Sequence, residues 1–166
     1  LATAAARGEV RGATLRLANV YGPGAHGRRE DRHVLTRMIR HAVDGRPLTV
    51  HGSGDSIRDY VFIDDVVEAF LMAAAHGDRI NARHFVIGSG DGISIRDAFG
   101  LIAQRAARAT GRPVAVTSVE AARAPSPIER RNFIADPSRF SAATGWRPRV
   151  KLSDGIDRTI EALACG

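Results

Sequence analysis

Strand-length apolar runs alternate with runs of helical period from one end of the chain to the other. That alternation confines the fold to an α/β architecture. Ala13 to Val20 (ATLRLANV) predicts a buried strand leading into a Gly/Pro loop, Tyr21 to Gly27. Val34, Leu35, Met38, Ile39, Ala42 and Val43 recur at the 3.6-residue period, which predicts a helix over Val34 to Val43 stopped by Gly45. Pro47 to His51 predicts a strand, Gly52 to Asp55 a turn, and Arg58 to Ile63 a further strand. Asp64 is expected to cap a helix over Val66 to Ala75, with Asp65 in its first turn and Gly77-Asp78 closing it. Arg83 to Ile87 predicts a strand, Gly88 to Gly92 a glycine loop, Ser94 to Thr110 a helix capped by Gly111, and Val114 to Val119 a strand. Ala121 to Pro127 is expected to be a flexible loop. Two closing helices follow over Pro137 to Thr144 and Ser153 to Ala164, joined through Gly145-Trp146-Arg147-Pro148.

Composition narrows the function classes. A chain of 166 residues with 44% hydrophobic and 25% charged residues buries a core as a single unit. No run approaches the roughly 18 apolar residues a membrane span requires, and the Ala-rich start is not a secretory signal. Cys165 is the only cysteine, so no internal disulfide forms and a reducing cytoplasm is the expectation. It also removes any zinc-finger reading, and no metal ligand set is expected. The net charge is +6, and Lys151 is the only lysine among 24 basic residues. The arginines are spread rather than clustered with aromatics, which argues against a nucleic-acid partner and for a small polyanion.

Three glycine clusters invite a nucleotide-binding reading. Gly88-Ser89-Gly90-Asp91-Gly92 follows a strand and precedes a helix, yet Ile93 stands where the third glycine of G-x-G-x-x-G belongs. An ordinary turn is therefore the preferred reading. No Walker lysine follows any glycine run. No Tyr-x-x-x-Lys exists either, because Tyr21 is followed four places on by Ala25 and Tyr60 by Asp64. No catalytic residue is expected within this chain.

Four longer strings carry a resemblance. Leu15 to Gly24 (LRLANVYGPG) resembles the "R-x-x-N-V-Y-G-P" segment of extended short-chain dehydrogenases that act on nucleotide sugars. Leu48 to Val66 resembles their "P-L-x-V-x-G-x-G-x-x-x-R-D-Y-V-x-V-D-D-V". Val86 to Gly90 with Ser94 resembles "N-I-G-x-G…S", and Thr144 to Gly155 resembles the closing "G-W-x-P-x-x-x-L-x-x-G". The four occur in the family's order and span essentially the whole chain. The resemblance implies the C-terminal, substrate-binding part of an extended Rossmann-type fold of the NAD-dependent epimerase/dehydratase family. It also implies that Leu1 begins just after the catalytic Tyr-x-x-x-Lys, with the cofactor-binding half absent. NAD or NADP is the implied cofactor, a nucleotide-diphosphate sugar the implied partner, and a homodimer stays open.

The resemblance makes Asn19 and Arg58 ligands of the substrate diphosphate. The alternatives are that Asn19 satisfies backbone groups at a strand end and that Arg58 pairs with Asp55 or Asp59. Leu17 and Ala18 sit where the family's backbone approaches the nicotinamide, or are plain core. Val34, Leu35 and Met38 fall where relatives pack on the nucleobase, with helix core packing as the alternative. Val50 and His51 match the region near base and ribose, where a lone histidine is also at home as a structural residue. Arg16 is expected to pair with a buried acid, Asp64 and Asp65 to cap a helix, and Trp146 to anchor the core between the last two helices. Many relatives place a second arginine on the diphosphate through "R-x-x-D". Here Ser126 and Glu129 stand at those places, with Arg130 and Arg131 nearby. Ala82 to Phe85, Ser118 to Glu120 with Ala124-Pro125, and Thr144 to Val150 look closer to deoxysugar 4-ketoreductases, which reduce dTDP-4-keto-6-deoxyhexoses. A non-catalytic NAD(P)- or partner-binding module of the same fold is the alternative from another class.

Overall fold

The computed structural model describes residues 2–24, 33–120 and 131–164. The expectations for Ala121 to Pro127, Ser126, Glu129, Arg130 and Cys165 lie outside them. After a short helix α1 (Ala2–Ala6) come β1 (Thr14–Leu17), β2 (Asn19–Tyr21), α2 (Val34–Val43), β3 (Leu48–His51) and β4 (Ile57–Phe62). These are followed by α3 (Ile63–Ala75), α4 (Gly77–Ile80), β5 (His84–Ile87), β6 (Gly92–Ser94), α5 (Ile95–Thr110) and β7 (Val116–Val119). The described chain closes with α6 (Ser138–Thr144) and α7 (Leu152–Ala164). This is a mixed α/β fold in which β1 pairs with β5, β2 with β4 and β3 with β7, all parallel, while β6 runs antiparallel to β4.

The single strand expected over Ala13 to Val20 is broken at Ala18. Below it, Thr14 to Leu17 register with His84 to Ile87; above it, Asn19 to Tyr21 register with Tyr60 to Phe62. The chain changes neighbours there because the Ala18 N–H is the last to bond β5, donating to the Ile87 carbonyl at 2.8 Å. Other expectations also need correction. Gly77-Asp78 opens a short helix rather than ending one, and Gly92 belongs to β6 rather than to a loop. Arg16 is exposed and so does not pair with a buried acid.

Helix formation follows the sequence closely at α2 and α5. Leu35, Met38, Ile39 and Ala42 turn one face of α2 into the core, where Ile39 and Ala42 are fully buried. In α5 the Ser94 hydroxyl accepts the Asp97 N–H at 3.0 Å, and Gly111 ends the helix in the left-handed region at φ 71°. Ser94→Ala should therefore lower stability by about 1 kcal/mol, the usual scale for a lost N-cap. Chemical denaturation measures it, and an unchanged midpoint would deny the cap any weight.

Helices α2, α5 and α7 pack over Leu48, Val50, Phe62 and Tyr21 to make the main core. A second cluster forms around Phe85, Ile87, Phe140 and Trp146 on the other side. Asp64 and Asp65 do not cap α3, whose N-cap position is Phe62. Asp64 is exposed in the first turn, where a carboxylate suits the helix dipole. Asp65 is buried, and its carboxylate accepts the backbone N–H groups of Arg149 and Val150 at 3.1 and 3.0 Å. It fastens the α6–α7 connection to α3. The Trp146 indole N–H donates to the Asp65 carbonyl at 3.0 Å, confirming Trp146 as a core anchor.

Candidate substrate-binding site

Parallel strands present their ligand sites beyond their carboxyl ends, above all where the strand order switches. Ala18 follows the carboxyl end of β1, where the chain exchanges β5 for β4 as its neighbour; Leu17 and Asn19 flank it, and Arg58 lies near the start of β4. Because Asn19 is in register with Tyr60, and Arg58 lies two residues before Tyr60, the side chains of Asn19, Arg58 and Tyr60 share one face of the sheet. The structure thus brings Asn19 and Arg58 together.

The Asn19 amide donates to the Asp59 carbonyl at 2.9 Å. It does satisfy a backbone group, as the alternative reading held, but an amide nitrogen carries two donors and this bond uses one. Arg58 is half-buried and donates through Nη1 to the carbonyls of Ile57, at 2.9 Å, and Arg131. Asp59 is not its ion-pair partner. It faces the opposite side of β4, fully buried, and its carboxylate accepts from Ser89 N–H and Oγ–H, both at 2.8 Å, and from the N–H groups of Gly90 and Ala135, both at 3.0 Å.

Those bonds explain the glycine cluster after β5. Two consecutive N–H groups of the kind that would cradle a phosphate are occupied by an internal carboxylate instead. Gly88 is required by close approach: a Cβ there would lie 2.3 Å from Ala135 Cβ and 2.8 Å from Asp59 Oδ2. The loop is an ordinary turn held by Asp59.

The remaining expected residues divide. Leu17 is 40% exposed and Ala18 half-buried, so the end of β1 offers an apolar edge and accessible backbone beside Asn19. Val34 is 51% exposed at the start of α2, and His51 is exposed at the end of β3. Leu35 and Val50 are buried in the main core, where packing accounts for both. Thr36 bridges α2 to the end of β2, its hydroxyl within bonding distance of the Gly22 N–H and carbonyl at 3.5 and 3.4 Å. That contact sets α2 beside the loop that follows Tyr21.

The two tyrosines do not look like bases. Burial pushes the Tyr60 hydroxyl above its ordinary value, with the Arg58 charge opposing. Burial, reinforced by the Asp65 and Asp154 carboxylates, pushes Tyr21 up as well, and its hydroxyl donates to the Leu152 carbonyl at 3.3 Å. A tyrosine acting as a base at neutral pH needs the opposite shift. Among the described residues no group of three or more His, Cys, Asp or Glu gathers as metal ligands, and no helix is long and apolar enough to cross a membrane.

Asp59 and Ser89 are the residues sequence reasoning missed. The signal available was an aspartate in a strand interior, where that residue is depleted.

The family model described as "NAD dependent epimerase/dehydratase family" matches residues 1–88. With the parallel α/β fold around it, this chain belongs to that family. It is similar to UDP-glucose 4-epimerase of Mycolicibacterium smegmatis, 34% identical over 148 residues, covering 87% of this chain and 42% of the relative. It is also similar to dTDP-4-dehydro-6-deoxyglucose reductase of Escherichia coli, 31% identical, covering 92% of this chain and 45% of that one. Among solved structures, UDP-glucose 4-epimerase from Thermotoga maritima with UDP-glucose superposes with a TM-score of 0.74 at 28% identity, over 95% of this chain and 47% of that one. The chain thus spans about half the length of the relatives it matches.

Proposed function

We propose that this chain is the nucleotide-sugar lobe of an NAD(P)-dependent enzyme that oxidises or reduces a ring carbon of a nucleotide-diphosphate hexose. The observation that carries this reading is the placement of Asn19 and Arg58 on one sheet face, beside the strand switch at Ala18. An amide and a guanidinium there suit the two phosphates: the amide orients by hydrogen bonding, and the planar fork adds charge-assisted bonds. Both donate to backbone carbonyls in this structure, bonds that orient the amide and the guanidinium toward the ligand.

Arg131 supports the same reading. Its carbonyl is bonded to Arg58, and its guanidinium lies over the Phe133 ring, 5.7 Å from the centroid. A second arginine near the first suits a substitute for the "R-x-x-D" arginine of many relatives, at whose own place Ser126 stands. Val34 and His51 are exposed and available to the nucleoside end, whereas Leu35 and Val50 support them from the core.

β1, β5 and α3 are read as the end of the dinucleotide-binding sheet, and the other elements as the lobe that covers the sugar nucleotide. The edge of β1 at Leu17 and Ala18 fits an apolar nicotinamide face. A bound nicotinamide would supply or accept the hydride, and the proton-transferring Tyr and Lys would come from chain beyond these residues. Relatives that match include an epimerase, a dehydratase and a reductase. The diphosphate site is expected to serve any of these reactions, with reduction of a dTDP-4-keto-6-deoxyhexose the preferred one.

Arg58→Ala in the full-length protein is expected to weaken binding of a UDP- or dTDP-sugar by about 1.5–3 kcal/mol, the scale of a hydrogen bond to a charged group. Isothermal titration calorimetry reads this directly. An unchanged affinity would remove Arg58 from the site.

A further inference from the structure

Asp59 is fully buried in β4, and burying a carboxylate is costly unless donors surround it. Its four donors come from two segments that are far apart in sequence: the turn at Ser89-Gly90 and the strap that ends at Ala135. The strap runs along β4. Asn132 Oδ1 accepts the Ile57 N–H at 2.9 Å, and the Phe133 N–H donates to the Ile57 carbonyl at 3.1 Å. At its start, the Arg131 carbonyl accepts from Arg58. On the main chain, the Asp59 carbonyl accepts from the Asn19 amide.

We propose that Asp59 is a positioning residue of the diphosphate site. Its carboxylate pins the strap whose Arg131 carbonyl orients Arg58, while its main chain orients Asn19. The role rests on the diphosphate reading above. Asp59 itself touches no substrate, because it lies on the face of β4 away from Arg58. It acts by holding two donors at a fixed separation, so that neither must be ordered when the diphosphate arrives.

Asparagine at this position has the same shape but replaces one acceptor oxygen by a donor, which then confronts N–H groups it cannot accept from. Either the turn or the strap is released. If Asp59 served only to hold the fold, Asp59→Asn would lower the melting temperature and leave the folded protein's affinity unchanged. If Asp59 positions the site, affinity falls as well.

The experiment titrates the full-length protein with UDP and with dTDP by calorimetry, well below its melting temperature. Alongside Asp59→Asn it includes Ser89→Ala, which removes one of the four bonds, and Ile102→Val, a core truncation in α5. Asp59→Asn is expected to weaken the Kd about tenfold, and Ser89→Ala about threefold, on the scale of one or two hydrogen bonds. Ile102→Val is expected to lower the melting temperature with Kd unchanged. Wild-type affinity in Asp59→Asn and Ser89→Ala would overturn the positioning role whatever their melting temperatures. If Asp59→Asn does not fold, Ser89→Ala decides alone, an unchanged Kd overturning the role. A wild-type protein that binds neither nucleotide sinks the diphosphate reading itself, and the positioning role with it.

Discussion

Replacing Trp146 by alanine should destabilise the fold by about 3–5 kcal/mol, the range for truncating a buried large aromatic. Trp146 is 2% exposed and stacks edge-on against Phe140, with centroids 5.7 Å apart; Phe140 in turn meets Phe85 edge-on at 5.4 Å. The truncation would open a cavity in the smaller of the two cores, which has few other large side chains to collapse into it. It would also leave the Asp65 carbonyl without the indole donor. Asp65 is the residue that fastens Arg149 and Val150 to α3, so the loss spreads to the whole α6–α7 connection. Urea unfolding followed by circular dichroism measures the effect, since the protein's single tryptophan is the residue removed. A loss below about 1 kcal/mol would show that the second core contributes little.

Gly88→Ala should cost about 2–3 kcal/mol, at the upper end for overpacking a close contact. The methyl group would sit 2.3 Å from Ala135 Cβ and 3.1 Å from Ala18 Cβ, and neither side chain can swing away. The strap must therefore move off β5, or the turn must move off Asp59. Either movement reaches the site, through the Ala135–Asp59 bond on one side and the Ala18 strand switch on the other. The two variants are thus expected to differ in kind. Trp146→Ala lowers stability and leaves UDP affinity near wild type below its melting temperature, whereas Gly88→Ala lowers both. Denaturation and calorimetry on the same preparations separate them, and a Gly88→Ala protein of wild-type stability would contradict the close approach.

Much of this fold was legible in local pattern. The apolar spacing from Val34 to Val43 marks a helix with those bounds, and Ser94 and Gly111 mark the two ends of α5. These signals are local because helix periodicity and capping involve residues a few positions apart. The break at Ala18 was not legible. ATLRLANV is uniformly strand-like, and only the competition between β5 and β4 for its edges divides it. Asp64 and Asp65 look alike in sequence, but one helical step of about 100° turns one to solvent and the other into the core.

The site was legible in part. The motif strings pointed to Asn19 and Arg58, and sheet register places them together. They could not separate Val34 from Leu35, nor His51 from Val50, because adjacent residues are turned by about 100° on a helix and face opposite ways on a strand. Asp59 was hidden by its motif: next to Arg58 it reads as an ion-pair partner, although strand alternation sends it to the other face.

The central claim is that a nucleotide-sugar diphosphate binds at Asn19 and Arg58. A crystal structure of the full-length protein with a UDP- or dTDP-sugar tests it most directly. The diphosphate oxygens are expected within hydrogen-bonding distance of the Asn19 amide and the Arg58 guanidinium, where β1 ends and β2 begins. A sugar nucleotide bound elsewhere, with Asn19 and Arg58 out of contact with phosphate, would contradict the account.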